Sequence, residues 1–138
     1  MDVKNKRVVV TGAASGIGKA LCEAFYQAEA QSVIAVDMNL DGAQETADSV
    51  NGIAIQANVG NEKDIINVIK KADEHVDGTD IFCSNAGIVG VPGFFEVEAS
   101  DWQNIWDVNV QSHIFAAKHV LPQMIERGEG YLVNTSSA

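Results

Sequence analysis

The sequence has 138 residues, of which 46% are hydrophobic and 20% charged, and its formal net charge is −10. That length suits a single domain, large enough to bury a core without disulfide or metal support. The acidic balance argues against nucleic-acid backbones and anionic membrane surfaces as partners, and any phosphate-bearing ligand must be held by local dipoles against the overall field.

The two cysteines, Cys22 and Cys83, lie far apart and in no metal-ligand spacing, which suits a reducing cytosol. The segment Met1–Arg7 lacks the apolar core of a signal peptide, and no apolar run approaches a membrane span. A soluble cytoplasmic protein is the expectation.

Along the chain, short β-branched runs alternate with helical periods. Arg7–Thr11 (RVVVT) reads as a strand buried on both faces, as in a parallel sheet. After a glycine-rich turn, Ile17, Ala20, Leu21, Ala24, Phe25 and Ala28 recur at helical spacing and form an apolar stripe that can cover the sheet. Ser32–Val36 is a second strand, ending at Asp37. Leu40, Ala43, Ala47 and Val50 mark a second helix, which Gly52 stops. Ile53–Ala57 is the third strand, Ile65, Ile69, Ala72 and Val76 face inward from a third helix, and Asp80–Cys83 is a short fourth strand.

A loop holding Gly87, Gly90, Pro92 and Gly93 leads to Ser100-Asp101-Trp102-Gln103, which fits a capping box with serine at the cap. The long helix it opens carries Trp102, Trp106, His113, Ala117, Val120 and Met124 along one side. Pro122 is expected to kink it or end its regular hydrogen bonding. Gly128 and Gly130 stop it, and Tyr131–Thr135 (YLVNT) is a fifth strand. This β-α alternation predicts the α/β class, with a parallel sheet and right-handed crossovers.

Thr11-Gly12-Ala13-Ala14-Ser15-Gly16-Ile17-Gly18 joins the first strand to the first helix. Its glycines allow a tight turn and close approach of a ligand, and the helix's unpaired amides and positive dipole end favour a pyrophosphate. The spacing Gly-x-x-x-Gly-x-Gly differs from the general Gly-x-Gly-x-x-Gly fingerprint, so a plain tight turn stays open on these residues alone. Asp37 follows about 20 residues on, where an acidic side chain accepts from the adenosine ribose hydroxyls. A 2′-phosphate there would meet a like charge, and Ala13, Ala14 and Met38 bring no cation, so NAD is favoured over NADP. The alternative for Asp37 is a solvated strand end or a helix cap.

Thr11-Gly12-x-x-x-Gly16-x-Gly18, Asn85-Ala86-Gly87 after the fourth strand, Asn109 in the long helix and Val133-Asn134-Thr135-Ser136-Ser137 occur in order over the entire chain. In this the sequence resembles the N-terminal part of the short-chain dehydrogenase/reductase family. The resemblance implies a Rossmann-like, doubly wound parallel sheet of about five strands in three α/β/α layers, one NAD(P)-binding domain spanning residues 1–138 and incomplete at its C-terminal end. It implies that Gly12, Ser15, Gly16, Ile17 and Gly18 line the pyrophosphate side, that Asp37 holds the ribose, and that Asn58 and Val59 flank the adenine. Asn58 stands where the family usually has aspartate. Asn85, Ala86 and Gly87 would form the floor beside the cofactor.

Two catalytic positions are implied as well. Asn109 would hold a water in a proton relay, although a core asparagine bonded to backbone is the plainer reading of an amide among inward positions. Ser137 would bind the oxygen of an alcohol or carbonyl substrate. The family's general acid/base is a tyrosine in a Tyr-x-x-x-Lys pair, which this sequence lacks: Tyr26 and Tyr131 are followed four positions on by Ala30 and Thr135. Such a group contributes typically about 10²–10⁴-fold, so the chain alone is expected to be inactive. The fifth strand is expected to be an apolar edge open to pairing. The long helix, which in the family crosses a dimer interface, would lack its neighbour. Self-association or marginal stability is the expected consequence; the alternatives are a remnant that at most binds a nucleotide, or an interaction module that associates with a full-length relative. His75, His113 and His119 read as core or solvated residues rather than metal ligands.

Overall fold

The computed structural model describes residues 2–90 and 94–136. Pro92, Gly93 and Ser137, each singled out in the sequence, lie outside the described residues. Five strands, β1 (Arg7–Thr11), β2 (Ser32–Asp37), β3 (Ile53–Gln56), β4 (Ile81–Ser84) and β5 (Tyr131–Asn134), form one sheet in the order β3-β2-β1-β4-β5. Every pairing is parallel. The order reverses between β1 and β4, and in open α/β sheets the crevice at such a point, beyond the strands' carboxyl ends, is where ligands bind.

The helices are α1 (Gly16–Gln27), α2 (Leu40–Ser49), α3 (Glu62–Val76), α4 (Ala99–Trp106) and α5 (Ser112–Arg127). Successive strand side chains alternate between faces, and the core divides accordingly. Val8, Val10, Val33 and Ala35 meet Cys22 and Ala47 of α1 and α2 on one face. Val9, Ile34, Val36 and Phe82 meet Ile65, Val68, Ile69, Ala116 and Val120 of α3 and α5 on the other. The α/β class and the parallel five-stranded sheet between helix layers are as the sequence predicts, and most element bounds agree within a residue or two.

Three local expectations are corrected. The stripe on α1 runs one residue later than predicted. Gly18 and Cys22 are buried and Leu21 and Phe25 pack on the core, whereas Ile17, Ala20, Ala24 and Ala28 are exposed. The alanines, small and apolar, look alike on either side of a helix. The cap of α4 is Glu98 rather than Ser100: Glu98 and Asp101 form the capping box, with Asp101 Oδ2 accepting from Glu98 N–H at 3.0 Å. The same three-residue spacing therefore operates two positions earlier.

The third correction concerns the long helix. A π turn at Asp107–Gln111 separates α4 from α5. Its extra residue rotates the seam, so the inward line is Val108, Ser112, Ala116, Val120 and Met124. Trp102 and Trp106 are 57% and 53% exposed. Pro122 does not end the helix, which continues to Arg127. It stands on the exposed side, where water reaches the backbone carbonyl that proline leaves without a donor. Gly128, at φ +75°, closes α5 as predicted.

Candidate cofactor-binding site

The glycine-rich turn leaves β1 at the carboxyl end of the sheet's centre. At Gly18 an added Cβ would lie 2.0 Å from the Gly12 carbonyl oxygen and 2.9 Å from Asn85 Nδ2. Only glycine lets α1 start so close to the end of β1. Gly16 is different: its φ is +53°, and an added Cβ would meet nothing within 4 Å, so the crest of the turn faces open space. Ser15 is the N-cap of α1, yet its side chain makes no capping bond. By contrast, Asn39 caps α2, Asn61 caps α3 and Glu98 caps α4. Among the described residues no side chain caps the first amides of α1, so these donors and the positive end of the helix dipole face open space. Ile17, 64% exposed, stands beside them.

Behind the turn is a polar clamp. The buried Thr11 hydroxyl donates to Cys83 O at 3.2 Å and accepts from the amides of Asn85 and Ala86 at 3.0 and 3.1 Å. Asn85 Nδ2 donates to Thr11 O at 3.1 Å, and its Oδ1 accepts from the Thr135 hydroxyl at 3.0 Å. One asparagine therefore ties the carboxyl ends of β1, β4 and β5 together. From α2, the buried Thr46 hydroxyl donates to Ala13 O at 2.8 Å and holds the turn's second residue. The clamp roles of Thr11, Thr46 and Thr135 were not anticipated. A threonine at a strand's end signals such a clamp weakly; a threonine on a helix gives no signal in sequence.

Asp37 closes β2 beside the turn. Its Oδ2 accepts from Ala14 N–H at 3.0 Å and its Oδ1 from Asn39 N–H at 2.9 Å. Asn39, not Asp37, caps α2, so the cap alternative for Asp37 does not hold. A cavity of about 200 Å³ runs from Gly12, Asp37 and Met38 past Ala57, Asn58 and Val59 to Ala86, Gly87 and Ile88. A second, of about 670 Å³, continues beyond Ala86–Ile88 and takes in Asn85, Asn109, His113 and Asn134–Ser136. Gly12, Asp37, Asn58, Val59, Asn85, Ala86 and Gly87 are thus brought to one crevice at the reversal of strand order.

Asn109 lies in the π turn, and its amide bonds to the loop after β4. Its Oδ1 accepts from Ile88 N–H and its Nδ2 donates to Ile88 O, both at 2.8 Å. The backbone-bonded reading of Asn109 describes this geometry.

The opposite end of the sheet is held by charge. Arg7 donates from Nε and Nη2 to the two carboxylate oxygens of Asp80, at 2.8 and 2.7 Å. This fork lowers the Asp80 pKa, partly opposed by burial. Burial pushes the thiols of Cys22 and Cys83 up to about 12, so neither is a nucleophile in the folded chain. On the surface, Lys118 and His119 both bond Glu62 Oε1, at 2.7 and 2.8 Å, joining α3 to α5.

The short chain dehydrogenase family model matches residues 6–138. Glucose 1-dehydrogenase 2 of Bacillus subtilis is 33% identical over 143 residues, covering 99% of this chain and 55% of that protein. The 2-dehydro-3-deoxy-D-gluconate 5-dehydrogenase of Formosa agariphila is 28% identical over 141 residues, covering 99% and 53%. A short-chain type dehydrogenase/reductase from Mycobacterium marinum superposes with a TM-score of 0.89 at 30% identity, covering 99% of this chain and 57% of that one. The chain thus spans a little over half the length of these relatives. With its parallel sheet, its glycine turn and a match over nearly its whole length, the chain belongs to the short chain dehydrogenase family.

Proposed function

We propose that this chain binds NAD along the crevice at the carboxyl end of its sheet, as part of an oxidoreductase that moves hydride between NAD(H) and an alcohol or carbonyl substrate. The observation that carries the reading is the bare start of α1: no side chain caps it, and the space over Gly16 is open. Gly12, Ser15, Gly16, Ile17 and Gly18 would hold the diphosphate, Asp37 the adenosine ribose, and Asn58 and Val59 the base. Asn85, Ala86 and Gly87 would floor the nicotinamide side. When bound, the nicotinamide supplies the hydride acceptor or donor. The two named relatives are dehydrogenases, which supports alcohol and carbonyl chemistry.

Asn109 and Ser137 belong to the substrate side in this reading, Asn109 at the water relay and Ser137 at the substrate oxygen. The Ile88 contacts give Asn109 a further task, holding the loop that borders both cavities. No tyrosine of the 138 residues has a lysine four positions later, so this chain by itself, read as one NAD-binding domain, lacks a general acid/base. Mixed with NAD and a panel of alcohols it should show no turnover, and clear turnover would overturn that part of the reading. Among the described residues no helix is long and apolar enough to cross a membrane; separately, the two buried, unpaired cysteines support the cytoplasmic location we propose.

A carboxylate at position 37 repels a 2′-phosphate. Calorimetric titration should therefore give NAD binding at least about 10-fold tighter than NADP binding, a difference of about 1.4 kcal/mol, and Asp37→Ala should bring the two together. Equal affinities in the unaltered chain would contradict the assignment. A second reading rests on α5, where Ile114 and Ile125 are exposed beside the edge strand β5. Such surfaces favour association with a second copy or a longer relative. Sedimentation should show species larger than one chain, and a well-behaved monomer would count against association.

A further inference from the structure

The peptide link between Ala13 and Ala14 is hydrogen-bonded at both of its polar ends. Its carbonyl, Ala13 O, accepts from the Thr46 hydroxyl at 2.8 Å, and its N–H, on Ala14, donates to Asp37 Oδ2 at 3.0 Å. A trans peptide link is a rigid plane whose carbonyl and N–H point in opposite directions. The hydroxyl on α2 and the carboxylate that ends β2 are thus joined through one rigid group. Hydrogen bonds in such a chain also polarise one another.

The surrounding contacts hold that plane in place. Ala13 is buried, and its N–H donates to Val36 O at 3.1 Å. On the α2 side, a Cβ at Gly42 would lie 2.7 Å from the Ala14 Cβ and 3.3 Å from Ala14 O, so the helix backbone abuts the turn here. The Thr46 proton has one alternative acceptor, Gly42 O, at the longer distance of 3.1 Å. Thr46 is buried and lines neither cavity of the crevice. Asp37 Oδ1 accepts from Asn39 N–H at 2.9 Å. With one N–H on each oxygen the carboxylate is fixed in orientation, and about half of its acceptor sites stay open.

We propose that Thr46 is a positioning residue for the dinucleotide: buried out of a ligand's reach, it sets the Asp37 carboxylate for the adenosine ribose by fixing the peptide between Ala13 and Ala14. Without the hydroxyl the plane is free to rotate and Ala14 N–H leaves Asp37 Oδ2. The carboxylate, then held by Asn39 N–H alone, must be ordered when the ribose arrives, and that ordering weakens binding. The inference rests on the NAD reading of this crevice.

The test is calorimetric titration with NAD of the unaltered chain, Thr46→Val, Thr46→Ser, Asp37→Ala and the double variant of Thr46→Val with Asp37→Ala. Valine keeps the shape of threonine and removes the hydroxyl, and urea unfolding establishes that each variant is folded. Thr46→Val should bind NAD about fivefold more weakly, the worth of one hydrogen bond, and Thr46→Ser should recover most of the loss. In the Asp37→Ala background the valine should change NAD affinity by less than about twofold, because the group that Thr46 positions is gone. Thr46→Ala, taken through the same cycle, gives the same reading where valine prevents folding. An equal loss in both backgrounds, the mark of a merely structural role, would overturn the inference while leaving the dinucleotide site standing. So would a Thr46→Val chain that binds NAD as the parent does. No NAD binding by the unaltered chain would remove the site itself and the inference with it.

Discussion

Replacing Gly18 and Gly16 in turn separates packing from ligand space. In Gly18→Ala the new methyl group would lie 2.0 Å from the Gly12 carbonyl oxygen and 2.6 Å from its carbon. Both are backbone atoms and cannot rotate away, so α1 must lift from β1 by more than about 1 Å, loosening Leu21, Cys22 and Phe25 on the sheet. Overpacking of this kind costs about 1–3 kcal/mol, and an immovable neighbour points to the upper end. With a urea slope of about 1–3 kcal/mol/M, the unfolding midpoint should fall by about 1–3 M. Gly16→Ala meets no neighbour, and its φ of +53° costs a non-glycine residue about 1–2 kcal/mol. Its methyl group, however, enters the open space proposed here for phosphate, so NAD affinity should drop more than about 10-fold, or 1.4 kcal/mol. Urea unfolding followed by circular dichroism, with calorimetric titration of each variant, reads both effects. A Gly18→Ala chain within about 0.5 kcal/mol of the parent, the ordinary range for surface changes, would refute the packing argument. Unchanged NAD affinity in Gly16→Ala would refute the assignment of the crest to a ligand.

Other outcomes follow from the same contacts. Thr11→Val keeps shape but strands the amides of Asn85 and Ala86, and should destabilise the fold by about 2–3 kcal/mol in chemical denaturation. Asp80 has its pKa lowered chiefly by Arg7. Its contribution to stability is therefore complete above the ordinary carboxylate range and is lost as pH falls through the lowered folded value. Acid titration of the unfolding free energy should show a decline setting in below about pH 4, and Asp80→Asn should make that decline shallower. The buried thiols of Cys22 and Cys83 should resist a disulfide reagent at neutral pH until the chain is unfolded, and rapid modification of either in native buffer would contradict their burial.

What the sequence reveals and what it hides divide along physical lines. The strands are legible because a doubly covered strand must be continuously apolar, as in Val8-Val9-Val10 and Val33–Val36. The glycine turn is legible because Gly12 and Gly16 meet a local need for a positive φ, and Asp37 because it ends a continuously apolar strand. Val120 and Met124 of α5 are legible as inward positions, but the part of the stripe from Trp102 to Ala117 is misread because one π turn at Asp107–Gln111 shifts the register, and nothing in the local pattern announces the extra residue. The cap of α4 is ambiguous because Glu98 and Ser100 each stand three residues before a side chain able to complete a capping box. The clamp of Thr11, Asn85 and Thr135 joins residues more than 120 positions apart in sequence, and only the sheet order makes them neighbours.

The central claim is that backbone donors at the start of α1 hold a dinucleotide's diphosphate while Asp37 receives the adjoining sugar. A crystal structure of the chain with NAD tests it most directly. The account predicts diphosphate oxygens within hydrogen-bond distance of the amides near Gly16–Gly18 and ribose hydroxyls on the Asp37 carboxylate. A dinucleotide bound elsewhere on the fold, with the glycine turn closed over by side chains, would contradict it.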